Sequence, residues 1–180
     1  MNDDPREHAD GAAVDAVLTA SRALVAVATK SLGAAAEETT IAQYRSLVVL
    51  ASRGPQRLVD MAAALGVAPS TAGRMCDRLT RKGLIRRQRA RADRRAVLVS
   101  ITPAGRAVVD TATSRRRALI AEILAVLPPG RQRDIAIALR AFAEAAGEVP
   151  DSDWPAPSDE EPSDEEPWED SEGEGARKSS

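Results

Sequence analysis

Arginine is the residue type through which this chain could act. Of its 25 basic residues, all but Lys30, Lys82 and Lys178 are arginine. Between Arg81 and Arg95 stand eight bases (Arg81, Lys82, Arg86, Arg87, Arg89, Arg91, Arg94 and Arg95) and one acid, Asp93. Just upstream, Ser70, Arg74, Arg78 and Arg81 recur at the spacing of one helix face, with Thr71 beside them. A guanidinium is a permanent cation whose planar donors match a phosphate or the edge of a guanine. The chemistry on offer is therefore recognition of a polyanion. Other chemistries lack their parts. His8 is the only histidine and lies near the N-terminus, no Gly-rich phosphate loop occurs, and the acids of the first 150 residues are scattered. No metal site, catalytic triad or carboxylate pair is expected, no cofactor is called for, and the chain does not read as an enzyme. Cys76, the only cysteine, has two readings, a redox sensor or inert packing. Its place on an apolar helix face favours packing.

Charge is segregated along the chain. Residues 151–180 hold 12 acids and 2 bases, whereas residues 1–150 hold 15 acids and 23 bases, so the overall −2 conceals a basic body and an acidic end. A charge run is usually just a solvated face. Arginines spread over both a helix and the adjoining hairpin favour a nucleic-acid surface instead. A length of 180 residues suits one domain with tails, and 43% hydrophobic but only 2% aromatic content suits a helical core of Ala, Leu, Val and Ile. No run of 18 apolar residues is present, so no membrane span is expected. The polar N-terminus does not resemble a secretory signal, and one cysteine cannot form an intramolecular disulfide. The expected location is cytoplasmic.

The elements that position the arginines follow from periodicity. An Ala-rich helix is expected over about 12–36, and a second from the Thr40-Ile41-Ala42-Gln43 capping box to about Ser52, stopped by Gly54-Pro55. Leu58–Leu65 is a short helix ended by Gly66, and Pro69 and Ser70 open another that runs to about Lys82. Strands are expected near Leu84–Gln88 and Ala96–Ile101, joined by the basic turn 89–95. Thr102-Pro103 starts a long helix to about Leu127, Pro128-Pro129 breaks it, and a last helix covers about 131–146 with Ile135, Ala138, Leu139, Phe142 and Ala145 inward.

Two short helices, a tight turn and a basic hairpin describe a winged helix-turn-helix. On the second of these helices Ala72, Met75, Cys76 and Leu79 share the apolar face, leaving Ser70, Arg74, Asp77, Arg78 and Arg81 pointing outward. Arg74 is the candidate for a base edge, Thr71 for a thymine methyl or a phosphate, and Arg78 and Arg81 for phosphates.

From Thr40 to Asp110 the chain resembles the MarR family of winged-helix regulators. The resemblance is carried by Gln43-Tyr44-Arg45-Ser46-Leu47, by Pro69 to Leu79, by Lys82-Gly83-Leu84-Ile85, and by Asp93-Arg94-Arg95 followed by Thr102-Pro103-Ala104-Gly105. It implies a mainly α fold with a small β-hairpin wing and with N- and C-terminal dimerisation helices. It also implies that Asp93 braces the wing, that Arg95 reaches the minor groove or its phosphates, and that Arg94 lies near the tip. Arg91 completes the expected DNA-contacting set. Gly73 departs from the family, which often has a larger polar residue there, and so removes one base contact. The expected organisation is a disordered N-terminus (1–11), a winged-helix domain (12–148) and an acidic disordered tail (149–180). Within the domain, the DNA-binding lobe covers about 40–102, and the dimerisation helices about 12–36 and 103–146.

The expected function is a sequence-specific regulator of double-stranded DNA. It would be a homodimeric repressor on a near-palindromic operator, released by a small-molecule effector and without a membrane partner. The alternative is a non-specific architectural DNA binder. The tail, rich in Pro, Ser, Asp and Glu, is open to three readings. It is a solubilising appendage, a DNA mimic competing in cis for the basic surface, or a partner-binding tail anchored by Trp154 and Trp168.

Overall fold

The computed structural model of the chain describes residues 10–33, 39–89 and 97–155. Among these described residues six α-helices and three strands follow one another: α1 (Gly11–Leu32), α2 (Ile41–Arg53), β1 (Gln56–Arg57), α3 (Leu58–Leu65), α4 (Pro69–Arg81), β2 (Ile85–Arg89), β3 (Val97–Ile101), α5 (Pro103–Ala125) and α6 (Pro129–Ala145). The fold is mainly α with a small antiparallel sheet, as expected. The sheet has the order β1-β3-β2, with Gln56 opposite Val99 and Ile85 opposite Ile101. The two-residue β1 was not anticipated. It is too short to carry an alternation, and only β3 beside it makes it a strand.

Local chemistry accounts for the boundaries. Thr40 Oγ1 accepts from the Gln43 N–H while Gln43 Oε1 accepts from the Thr40 N–H, which completes the capping box of α2. Gly66 ends α3 at φ +63°, a left-handed conformation suited to glycine. Thr102 caps α5 by accepting from the Gly105 N–H, and Pro103 follows at the first helical position. α1 ends at Leu32 rather than near residue 36, with Gly33 as its C-cap.

The core forms where α2, α3, α4, the sheet and the start of α5 converge. Leu47, Leu50, Met61, Leu79, Ile85, Val99 and Val109 are buried there. Each such side chain contributes about 1.5–3 kcal/mol by leaving water. The terminal helices behave differently. α1 buries only Ser31 and Leu32, where it meets α5. There Arg116 Nε donates to Ser31 Oγ (3.4 Å), and the Arg116 guanidinium lies over the Tyr44 ring. α6 buries nothing, so the expectation that Ile135, Ala138, Leu139, Phe142 and Ala145 face inward fails for the single chain. Ile135 is half-buried and the other four are exposed. Helical spacing shows that they share a face, not what covers it.

Among the described helices, only α1 is long and apolar enough to cross a bilayer on length and composition. Asp15, Arg22 and Lys30 interrupt it, and its end is sealed against α5.

The chain does not leave the fold at 149. Arg45 on α2 pairs with Glu148 through both of its terminal nitrogens. A single 3₁₀ turn, Asp151–Asp153, then lays Trp154 against the core. The folded part therefore extends through Pro155, and residues 149–155 depart from the disorder expected of them.

Candidate nucleic-acid interface

α4 is built with two unlike faces. Ala72, Cys76 and Leu79 are fully buried against α3 and the sheet, while Ser70, Arg74, Asp77, Arg78 and Arg81 are exposed. Thr71 and Met75 are half-buried at the border. The tight turn holding α3 against α4 relies on Gly66 and on the Val67 N–H, which donates to Ala62 O (3.0 Å). α4 begins at Pro69, after an Ala68 that supplies no side-chain cap, so the first N–H groups of the helix meet no side chain. Such an end, with its partial positive charge, suits a phosphate.

The side chains on the exposed face are partly preorganised. Arg74 Nη2 donates to Thr71 Oγ1 (3.1 Å), which directs the guanidinium along the N-terminal part of the helix, where a base-reading group must sit. Arg78, Arg81 and Lys82 are exposed and meet no acid among the described residues. Asp77 does not stand alone, because Arg87 on β2 donates to its Oδ1 at 2.5 Å. This pair joins α4 to the hairpin, and sequence reading missed it. Only the pairing of β2 with β3 brings position 87 beside α4.

Gly73 is corrected by the structure. A Cβ built on it would lie 3.8 Å from Leu58 Cδ2, so the position turns toward α3 and is half-buried. The absent side chain is not a lost groove contact. Cys76 is buried, and burial pushes its thiol above the ordinary value, opposed by the nearby Arg87 and reinforced by Asp77. A protonated, enclosed thiol is packing.

The hairpin is braced from behind. Thr102 Oγ1 donates to Gly83 O (2.7 Å) and its N–H to Leu84 O (3.1 Å), tying the start of α5 to the loop that follows α4. Gly105 is required there, since a Cβ would stand 2.1 Å from Leu84 O. Arg87 on β2 is exposed, and Arg86 is half-buried with its Nε donating to Ser100 Oγ (3.3 Å). Arg91, Asp93, Arg94 and Arg95, the expected tip and brace of the wing, lie outside the described residues. The structure thus gathers Ser70, Thr71, Arg74, Arg78 and Arg81 on one surface.

Comparison with known proteins adds three findings. A profile described as the MarR family matches residues 39–97. Among solved structures, the chain is similar to RV1404 from Mycobacterium tuberculosis, with 40% identity over 83% of this chain and 99% of that one and a TM-score of 0.73. It is also similar to the transcriptional regulator Tm0710 from Thermotoga maritima (25% identity, 77% and 96% covered, TM-score 0.63). A third similar structure is BpsR from Bordetella bronchiseptica (27% identity, 73% and 98% covered, TM-score 0.55), solved to explain how 6-hydroxynicotinic acid regulates its DNA binding. No match was found among curated proteins.

Proposed function

The chain belongs to the MarR family of DNA-binding transcription regulators, and from that premise we propose that it is a cytoplasmic homodimeric repressor. It reads one near-palindromic operator and is released by a small aromatic effector. The observation that carries this reading is the two-faced α4. One side is locked into the core, and the other offers Ser70, Arg74, Arg78 and Arg81 to solvent, with Thr71 at its border. A helix so held can be pressed into a major groove about 12 Å wide without disturbing the fold. In the proposed complex Arg74 reads a base edge. Arg78 and Arg81 hold phosphates, and Arg91, Arg94 and Arg95 grip from the wing that Asp93 braces.

The dimer is supported by the apolar residues that α1 and α6 leave exposed, among them Leu18, Val25, Ile137 and Phe142. A two-fold pair would set two α4 helices about one DNA turn, roughly 34 Å, apart. The effector is supported by BpsR, whose DNA binding 6-hydroxynicotinic acid regulates. Footprinting on genomic fragments tests the reading. The expected outcome is protection of one site with two inverted half-sites, lost on adding a small aromatic acid that binds the protein. Uniform coverage of every duplex would assign the chain to the architectural DNA binders instead.

A further inference from the structure

We propose that the acidic segment of residues 156–180 is an intramolecular ligand of the basic face of α4, delivered there by an anchor built from residues 148–155. The proposal rests on the reading of α4 as a DNA-binding surface and adds a second occupant to it. Its basis is the strap that the structure places on α5. The Trp154 indole N–H donates to Val149 O (3.0 Å), closing the strap on itself. The Arg106 guanidinium lies 5.6 Å from the Trp154 ring centre, and its Nη1 donates to Pro155 O (3.4 Å). Arg117, farther along α5, faces Asp151 at 3.9 Å. Glu148 is held by Arg45.

These contacts fix where the acidic segment starts. Arg106 is one helical turn, about 5.4 Å of rise, beyond Thr102. Thr102 is in turn hydrogen-bonded to Gly83 and Leu84, in the loop that immediately follows Arg81 and Lys82. Pro155 therefore releases the chain near the N-terminal end of α5, the end hydrogen-bonded to the loop that follows α4. The 25 residues beyond it carry 10 acids and 2 bases. They can span up to about 85 Å when extended. Charge is complementary, because Arg78, Arg81 and Lys82 are exposed and meet no acid among the described residues. A ligand tethered this closely acts at an effective concentration of about 1 mM, so weak contacts suffice. Carboxylates on the arginines must be displaced before phosphates can take their place. The segment would then raise the threshold for DNA binding and remove the weakest, purely electrostatic attachments first.

The test compares the full-length protein with a full-length variant in which the ten Asp and Glu of residues 156–180 are changed to Asn and Gln. Binding to a labelled random duplex is followed by anisotropy. The neutralised variant is expected to bind about tenfold tighter at about 50 mM salt, the gap closing near 300 mM. Full-length Trp154→Ala keeps the charge and loses the anchor, so it should fall between the two. A labelled synthetic peptide of residues 156–180 should bind the neutralised variant in trans, and Arg78→Glu with Arg81→Glu should abolish that binding. Equal duplex affinity of the two proteins at low salt, with no binding of the peptide, overturns the proposal and leaves the DNA reading intact. Peptide binding without binding of any duplex keeps the docking and sinks the DNA reading.

Discussion

Arg74 and Arg78 share a helix face, and the proposed complex gives them different tasks. Arg74 is tied to Thr71 in the first turns of α4, whereas Arg78 stands a turn later with no partner acid among the described residues. Arg74→Ala is therefore expected to flatten the preference for operator over scrambled duplex, by about 1–3 kcal/mol, and to leave non-specific binding nearly unchanged. Arg78→Ala and Arg95→Ala should instead weaken all duplexes alike and lower the salt slope by about one per subunit. Titrations of both duplexes over a range of salt separate the two outcomes, and wild-type behaviour in all three variants would refute the assignment. At Cys76, burial keeps the thiol protonated near neutral pH. Iodoacetamide at pH 8 should label it far more slowly in the native protein than in denaturant, and equal rates would reopen the redox-sensor reading. The exposed face of α4 was readable from spacing alone, because a helix with Ala72, Cys76 and Leu79 inward has its other positions outward. The Asp77–Arg87 pair was not, since it depends on where β3 sets β2 beside α4.

At the scale of elements, two glycines divide by what surrounds them. Gly73 lies inside α4, and an added Cβ meets nothing nearer than 3.8 Å. Gly73→Ala should therefore raise stability by up to about 1 kcal/mol and Tm by several degrees, with DNA binding retained. Gly105 has the opposite setting. Its Cβ would lie 2.1 Å from Leu84 O and 2.9 Å from Ile101 Cγ1, and both of those atoms belong to the base of the hairpin. Gly105→Ala should destabilise the fold by more than about 2 kcal/mol or push the hairpin out of register with α4. Thermal melts and operator titrations read these two effects. A Gly105→Ala protein as stable and as active as wild type would show that the hairpin is not held by α5. The helix starts were readable because Thr40, Pro69 and Thr102-Pro103 act within one turn. β1 and the strap of residues 149–155 were not readable, because both are made by partners distant in sequence. Trp154 was the one sign of the strap, a large aromatic in a polar stretch, and its partners on α5 explain it.

For the whole molecule, the decisive quantity is the apolar surface that one chain leaves in water. Leu18 is 53% exposed, Val25 58%, Leu139 42% and Phe142 52%, all on the two helices that contribute least to the core. Exposed residues scattered singly need no explanation, but rows on two long helices do. An aqueous chain that kept them bare would associate, and a two-fold pairing buries the same row from both copies at once. Phe142→Asp places a charge in that row and should turn a dimer by light scattering into a monomer, while the fold around Leu47 and Leu79 survives by circular dichroism. The consequence for DNA is specific. A monomer brings one α4 and one hairpin to the duplex, so its salt slope should be about half that of the dimer, and it should protect one half-site where the dimer protects two. If Phe142→Asp stays dimeric, the pairing surface lies elsewhere than α6. If it becomes monomeric and keeps the full slope and both half-sites, reading DNA does not need the pair.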